Sequence, residues 1–249
     1  MSSMFFQESD GGFRSGTWEF WNQGFIENLL FNFSPNSPNS HKSQKSHKHL
    51  YKHNHLFYNS FMRIFIGIKL DHAVHDKIEA FLKPFKKIST PIHWVKGANV
   101  HLTLKFLGEV AEQQYNQISE RLTHLEPQTQ PLEIELAGCG KFGKNEELNI
   151  FWIGLRPNHA LQQLYDSIEN TLFKIGIPKE TRPFSPHITV GRNKKNYNFK
   201  SLLTRVEELA DAPIAQFSTG YFQLFKSALK PDGPIYTILK EIPLTHGQA

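Results

Sequence analysis

The tetrapeptide His101-Leu102-Thr103-Leu104 recurs as His187-Ile188-Thr189-Val190 in a chain of 249 residues. Both copies have the form His-apolar-Thr-apolar. Both fall in runs of apolar and β-branched residues, 100–107 and 187–191, that read as strands. Side chains alternate across a strand. His101 and Thr103 therefore share one face while Leu102 and Leu104 turn to the core; His187 and Thr189, with Ile188 and Val190, repeat the arrangement. One copy alone is ordinary strand composition, because Thr favours strands. Two copies in matching phase point to a paired site, with an imidazole and a hydroxyl side by side on the non-core face of each strand.

The remaining pattern sets these strands in an α+β chain. Residues 63–70 read as a strand, and Asp71 is a candidate N-cap for a helix carrying Val74, Ile78, Phe81, Leu82 and Phe85. Tyr115, Ile118, Leu122 and Leu125 mark a second helix, stopped by Pro127. Asn158 caps a third, with the stripe Leu161, Leu164, Tyr165, Ile168, Leu172 and Ile175, closed by Gly176 and Pro178. Leu202, Leu203, Val206 and Leu209 make a fourth. Residues 132–137, 151–155, 214–229 and 235–242 read as further strands, the last two joined through Pro231-Asp232-Gly233-Pro234. Gly108 is expected to end the strand of the first tetrapeptide. Several strand-to-strand links are too short for crossover helices, so an antiparallel or mixed sheet is expected rather than a doubly wound one.

This regular pattern begins only at Met62. Before it, nine of the 21 Phe occur with almost no branched aliphatic residues, and 34–59 is built largely from Ser, Asn, His, Lys and Pro. Such a segment does not offset an ordering entropy of roughly 1–2 kcal/mol per residue. Residues 1–61 are therefore expected to be a low-complexity extension, disordered or non-native, with the functional domain spanning 62–249. The cluster His47, His49, His53 and His55 reads as part of that weakly basic tail, since no carboxylate or Cys completes a ligand set. Over the whole chain the composition is that of a globular protein, 39% hydrophobic and 20% charged. Its 28 Lys and Arg against 23 Asp and Glu give a formal charge of +5, compatible with a polyanionic substrate. No apolar run approaches the ~20 residues of a membrane span. A single cysteine, Cys139, allows no internal disulfide; the expectation is a cytoplasmic, monomeric protein without membrane contact.

An imidazole titrating near neutrality serves as acid or base. Two of them on opposite sides of a phosphorus atom permit in-line displacement. One takes the proton of the attacking water, and the other protonates the leaving oxygen. The Thr hydroxyls then reach the non-bridging phosphate oxygens. No cofactor and no metal is called for, and neither motif has a carboxylate-rich or Cys/His ligand set beside it.

The paired motifs resemble those of the two-histidine (2H) phosphoesterases, and in particular the RNA 2',3'-cyclic phosphodiesterases, historically called 2'-5' RNA ligases. The similarity extends to Met62-Arg63-Ile64-Phe65-Ile66-Gly67-Ile68, to Trp94-Val95 with residues 99–108, to residues 184–192, and to Ser227-Ala228-Leu229 with Gly233-Pro234-Ile235-Tyr236. It covers 62–244. The resemblance implies a two-lobed fold about a pseudo-twofold axis, with an antiparallel sheet in each lobe, helices outside, and the motifs facing a central cleft. It implies hydrolysis of RNA 2',3'-cyclic phosphate ends to 2'-phosphomonoesters, with reversible 2'-5' ligation. It assigns His101 as proton donor and His187 as proton acceptor, Thr103 and Thr189 to the phosphate, Arg192 to a phosphate contact and Phe106 to a terminal base. Strict alternation puts Phe106 and Arg192 on the face opposite the histidines. Either the strands bulge or end before them, for which Gly191 is a signal, or the two are core or rim residues.

Two other readings of the motifs stay open: a 2H enzyme for a small cyclic nucleotide, and a non-catalytic module that holds RNA ends. The remaining residues read blandly. His72, His75, His93, His124, His159 and His246 are expected at the surface. Cys139, between Gly138 and Gly140, is expected to be small and buried rather than nucleophilic. Lys105, Lys141, Lys194 and Lys195 belong either to a basic rim or to solvated loops.

Overall fold

The computed structural model describes residues 61–88, 90–125, 131–143, 148–193, 199–231 and 233–244. The expectations for the N-terminal extension, its His cluster, Pro127, Lys194, Lys195 and His246 lie outside the described residues. The order is β1 (Phe61–Lys69), α1 (His72–Lys86), β2 (Ile92–Trp94), a 3-10 turn (Gly97–Asn99), β3 (His101–Ala111), α2 (Glu112–Thr123), β4 (Leu132–Phe142) and β5 (Ile150–Leu155). Then come α3 (His159–Phe173), β6 (His187–Asn193), α4 (Lys200–Glu208), β7 (Pro213–Thr219), β8 (Tyr221–Lys230) and β9 (Gly233–Pro243).

The helix signals act as the sequence dictates. The Asp71 carboxylate accepts from Val74 N at 2.8 Å, and the Asn158 side-chain oxygen from Leu161 N at 2.9 Å. Gly176, at φ +84°, closes α3 while Ile177 N donates back to Leu172 O at 3.1 Å.

The strands form one antiparallel sheet in the order β7-β4-β5-β6-β3-β1-β8-β9, with β2 also on β6. β7 and β8 lie far apart in that order, yet Gly220 alone separates them in the chain. A one-residue link cannot span a flat sheet of strands about 4.8 Å apart, so the sheet is curled. This corrects the expectation of a single strand over 214–229. Its residues split at Gly220 and pair in opposite halves, β7 with β4 and β8 with β1. Gly108 likewise does not end β3. It adopts φ +74° within the strand, which continues to Ala111. The short strand β2 has no periodic signal of its own.

The two strands carrying the repeated tetrapeptide are central neighbours, joined by one antiparallel pairing, Leu102 with Ile188. Leu102, Leu104, Ile188 and Val190 are buried in the cluster that holds Val74, Ile78 and Leu82 of α1 and Leu161, Ile168 and Leu172 of α3. Helices thus cover the face opposite the histidines.

Lys105 follows the first tetrapeptide and, against the rim-or-loop expectation, is 3% exposed. Its ammonium donates to Glu169 of α3 at 2.6 Å and to Pro178 O at 3.0 Å. The other Glu169 oxygen accepts from Glu180 N at 2.9 Å. A charge pair buried at this depth persists because each member has a further hydrogen bond, Lys105 to Pro178 O and Glu169 from Glu180 N. It ties β3 to α3 and to the segment that leads into β6. Removing one partner of such a pair typically costs about 3–5 kcal/mol. In urea unfolding, Lys105→Met is expected to lose about that much, and Lys105→Met with Glu169→Leu to lose clearly less. Equal losses in the two would show that the uncompensated Glu169 charge is not the cause.

Candidate active site

Leu102 and Ile188 are the residues between His and Thr in the two motifs. Their antiparallel pairing therefore sets His101 beside Thr189 and Thr103 beside His187 on the face away from the core. Each imidazole is anchored in the same way. His101 Nδ1 lies 2.7 Å from Asn99 O, and His187 Nδ1 lies 2.8 Å from Ser185 O, in each case the carbonyl two residues upstream. A carbonyl only accepts, so both Nδ1 atoms carry the proton and both Nε2 atoms are basic when the rings are neutral. His101 Nε2 then accepts the Thr103 hydroxyl, 3.0 Å away. Asn99 is itself fixed, its side-chain amide donating to Pro234 O at 2.7 Å.

The question of Phe106 and Arg192 is answered by two matching irregularities. Opposite β1, Gly67 pairs with Thr103 but Ile66 with Lys105, so Leu104 is an extra residue. Opposite β5, Trp152 pairs with Thr189 but Phe151 with Gly191, so Val190 is extra. Each bulge falls three residues after its histidine and reverses the alternation beyond it. Phe106 and Arg192 consequently come to the histidine face. Phe106 pairs with Phe65, and their rings lie 5.7 Å apart. Phe106 itself is 54% exposed. Arg192 is exposed, and as a cation near all three it pulls the pKa of His101, His187 and Tyr236 downward, although burial leaves that of Tyr236 raised.

The surroundings of the two imidazoles differ. Phe65, Phe225 and Tyr236 surround His101 at ring distances of 4.7, 6.0 and 5.0 Å. Burial in this aromatic setting is the main cause that holds its pKa down at about 4, with Arg192 and His187 adding to it against the Asn99 hydrogen bond. His187 is flanked by Phe142 at 4.9 Å and Trp152 at 6.4 Å. Its pKa is also lowered, first by burial and then by Arg192, against the Ser185 hydrogen bond. Both rings are neutral at pH 7 in the free protein. Of these neighbours, sequence reasoning passed over Phe65, Phe142, Trp152, Phe225 and Tyr236 as site residues. Phe65 had a usable signal, two positions from Arg63 and Gly67 on one face of β1, but Tyr236 reaches His101 only through the β8–β9 pairing.

Among the described residues, no three His, Cys, Asp or Glu side chains come together to hold a metal ion, and no helix is long and apolar enough to cross a membrane. Cys139 is buried, as expected, and burial pushes its thiol up to about 12. His72, His93, His124 and His159 are exposed, whereas His75 is half-buried with its Nε2 unpartnered. Lys141 donates to Gly143 O at 3.3 Å.

The profile of the 2'-5' RNA ligase superfamily matches residues 74–227. A Methanocaldococcus jannaschii protein named RNA 2',3'-cyclic phosphodiesterase is 35% identical over 180 residues, covering 72% of this chain and 99% of the relative. A Thermotoga maritima protein of the same name is 32% identical, over 75% of this chain and 97% of the relative. The crystal structure of E. coli LigT in its apo form superposes with a TM-score of 0.60 at 25% identity, over 75% of this chain and 99% of that one. With its two motif strands paired through Leu102 and Ile188, this chain belongs to the 2'-5' RNA ligase superfamily of two-histidine phosphoesterases.

Proposed function

We propose that the protein hydrolyses RNA ends bearing a 2',3'-cyclic phosphate to 2'-phosphomonoesters, with its two motif histidines as acid and base. The observation that carries this reading is the identical anchoring of both imidazoles through Nδ1, which presents two basic Nε2 atoms beside two threonine hydroxyls. The names of the relatives support the choice of substrate.

In the proposed reaction the terminal cyclic phosphate lies between the histidines. Thr103, Thr189 and Arg192 hold its non-bridging oxygens, and Phe106 stacks on the terminal base. His187 Nε2 accepts the proton of the attacking water as the new P–O bond forms. The P–O3' bond breaks, and His101 delivers its Nε2 proton to the departing 3' oxygen. In the free protein His101 Nε2 accepts the Thr103 hydroxyl; a protonated Nε2 that donates to the 3' oxygen leaves that hydroxyl to donate to phosphate. In the same proposal, a 5'-hydroxyl in place of water gives a 2'-5' phosphodiester by the same proton transfers.

The donor must gain its proton when substrate binds. With its pKa near 4, His101 is neutral in the free protein, whereas an anion beside it favours the charged ring. Binding of adenosine 2'-phosphate near pH 7 should therefore take up a proton, read as a buffer-dependent calorimetric enthalpy. Relative to His101→Ala, which shares the ligand phosphate's own titration at about 6, affinity should rise as the pH falls through the raised His101 pKa of the complex and level off near 4. His101→Ala should abolish the His101 share of both effects.

Positioned acid–base groups contribute about 10²–10⁴-fold each, so His101→Ala and His187→Ala should each lower turnover by that order. A substrate with a strongly activated leaving group needs little protonation, and should restore the His101→Ala variant but not the His187→Ala variant. Restoration of the other variant would reverse the two roles. Wild-type turnover in either would remove that histidine from the mechanism.

A further inference from the structure

His187 has an aromatic neighbour for which the proposed reaction gives no role. Phe142, the last residue of β4, stands edge-to-face against the His187 ring at 4.9 Å and is still 38% exposed. Behind it lies Trp152, with ring centroids 5.6 Å apart. The indole occupies a prepared seat. A Cβ on Gly140 would come within 2.2 Å of the ring, and one on Gly154 within 3.3 Å, so a side chain at Gly140 would displace it. Trp152 pairs with Thr189, and Gly154 with His187, which sets the indole on the motif face. Its Nε1 is buried without a partner, so ring packing rather than a hydrogen bond fixes it there.

The arrangement mirrors the other half of the sheet. Phe106 is exposed on the His101 side and backed by Phe65, while Phe142 is exposed on the His187 side and backed by Trp152. Arg192 supplies positive charge near both histidines. An exposed, rigidly backed aromatic face beside a cation is the pairing that binds a nucleobase next to a phosphate, and each stacked base is worth about 1–3 kcal/mol.

We propose that Phe142, supported by Trp152, is a second nucleobase site on the His187 side of the reacting phosphate. The inference rests on the cyclic-phosphate reading above. The base has two sources: the nucleotide next to the terminal one in the same strand, or a nucleoside whose 5'-hydroxyl replaces water. In the second case the 5'-oxygen attacks phosphorus and gives its proton to His187. The P–O3' bond breaks with protonation from His101, and a 2'-5' phosphodiester forms with no further reactant.

The test compares the full-length protein with Phe142→Leu, which keeps apolar bulk but has no ring, and with Phe142→Trp. The first arm is the ratio of kcat/KM for a dinucleotide ending in a 2',3'-cyclic phosphate to that for adenosine 2',3'-cyclic phosphate. The second is the ratio of 2'-5' product to hydrolysis when adenosine is added as acceptor. Phe142→Leu should lower one of these ratios by roughly 5- to 100-fold, the loss of one stacked base, and Phe142→Trp should preserve it. A fall in the first identifies the same-strand base, and a fall in the second the incoming nucleoside. Equilibrium binding of the 2'-phosphorylated dinucleotide relative to the mononucleotide reads the same-strand site without turnover. Both kinetic ratios unchanged in a folded Phe142→Leu protein would overturn the proposal. A wild-type protein that binds these nucleotides but hydrolyses neither cyclic phosphate would instead overturn the proposed function. The binding ratio and the binding of adenosine to the protein loaded with adenosine 2'-phosphate would then decide the base site, and insensitivity of both to Phe142→Leu would overturn that too.

Discussion

One backbone pairing, Leu102 with Ile188, organises the molecule. It is the seam between two half-sheets, β7-β4-β5-β6 and β3-β1-β8-β9, each held together by longer ladders. Because the seam falls on the residue between His and Thr in both motifs, it sets each imidazole next to the hydroxyl of the other motif. So short a ladder specifies its register weakly by hydrogen bonds. Register is fixed instead by burial, since Leu102, Leu104, Ile188 and Val190 all fill the helix-covered core. A slip of one residue would turn the core side chains out and the imidazoles in. The same hydrophobic pattern that makes these segments strands therefore also places the chemistry.

The histidine and threonine positions were legible for that reason, as were the helix caps, because each depends only on near neighbours in the chain. Arg192 and Phe106 were not, because their face depends on how many residues the partner strand sets against them. An extra Leu104 or Val190 looks like any other apolar strand residue; only Gly191 hinted that the alternation fails. Lys105 was unreadable for a related reason. A lysine in a strand reads as solvent-facing unless a carboxylate meets it, and its partner Glu169 is 64 positions away on α3. The break at Gly220 was missed because residues 214–229 keep strand composition on both sides. What separates β7 from β8 is the curl of the sheet, which no local pattern encodes.

The two motifs share a backbone plan and an anchoring scheme but not an environment, and that asymmetry bears on which histidine is acid and which is base. By ordinary matching, the more strongly depressed imidazole is the one found without a proton at neutral pH and so takes the part of base, while the less depressed one carries the proton. In the free protein the more depressed ring is His101, boxed by Phe65, Phe225 and Tyr236, whereas the resemblance makes it the donor. The tension dissolves once the charges are counted with an anion in place. In the free site Arg192 is a cation near both rings and helps hold both neutral. A phosphate bridging them offsets that charge and adds a negative one, and the least solvated ring responds most, because its interactions are least screened. His101 is then the ring whose proton affinity changes most between empty and occupied states. In the proposed reaction, a donor charged only by its substrate's phosphate is kept from holding a proton, and from repelling Arg192, until there is a leaving oxygen to receive it.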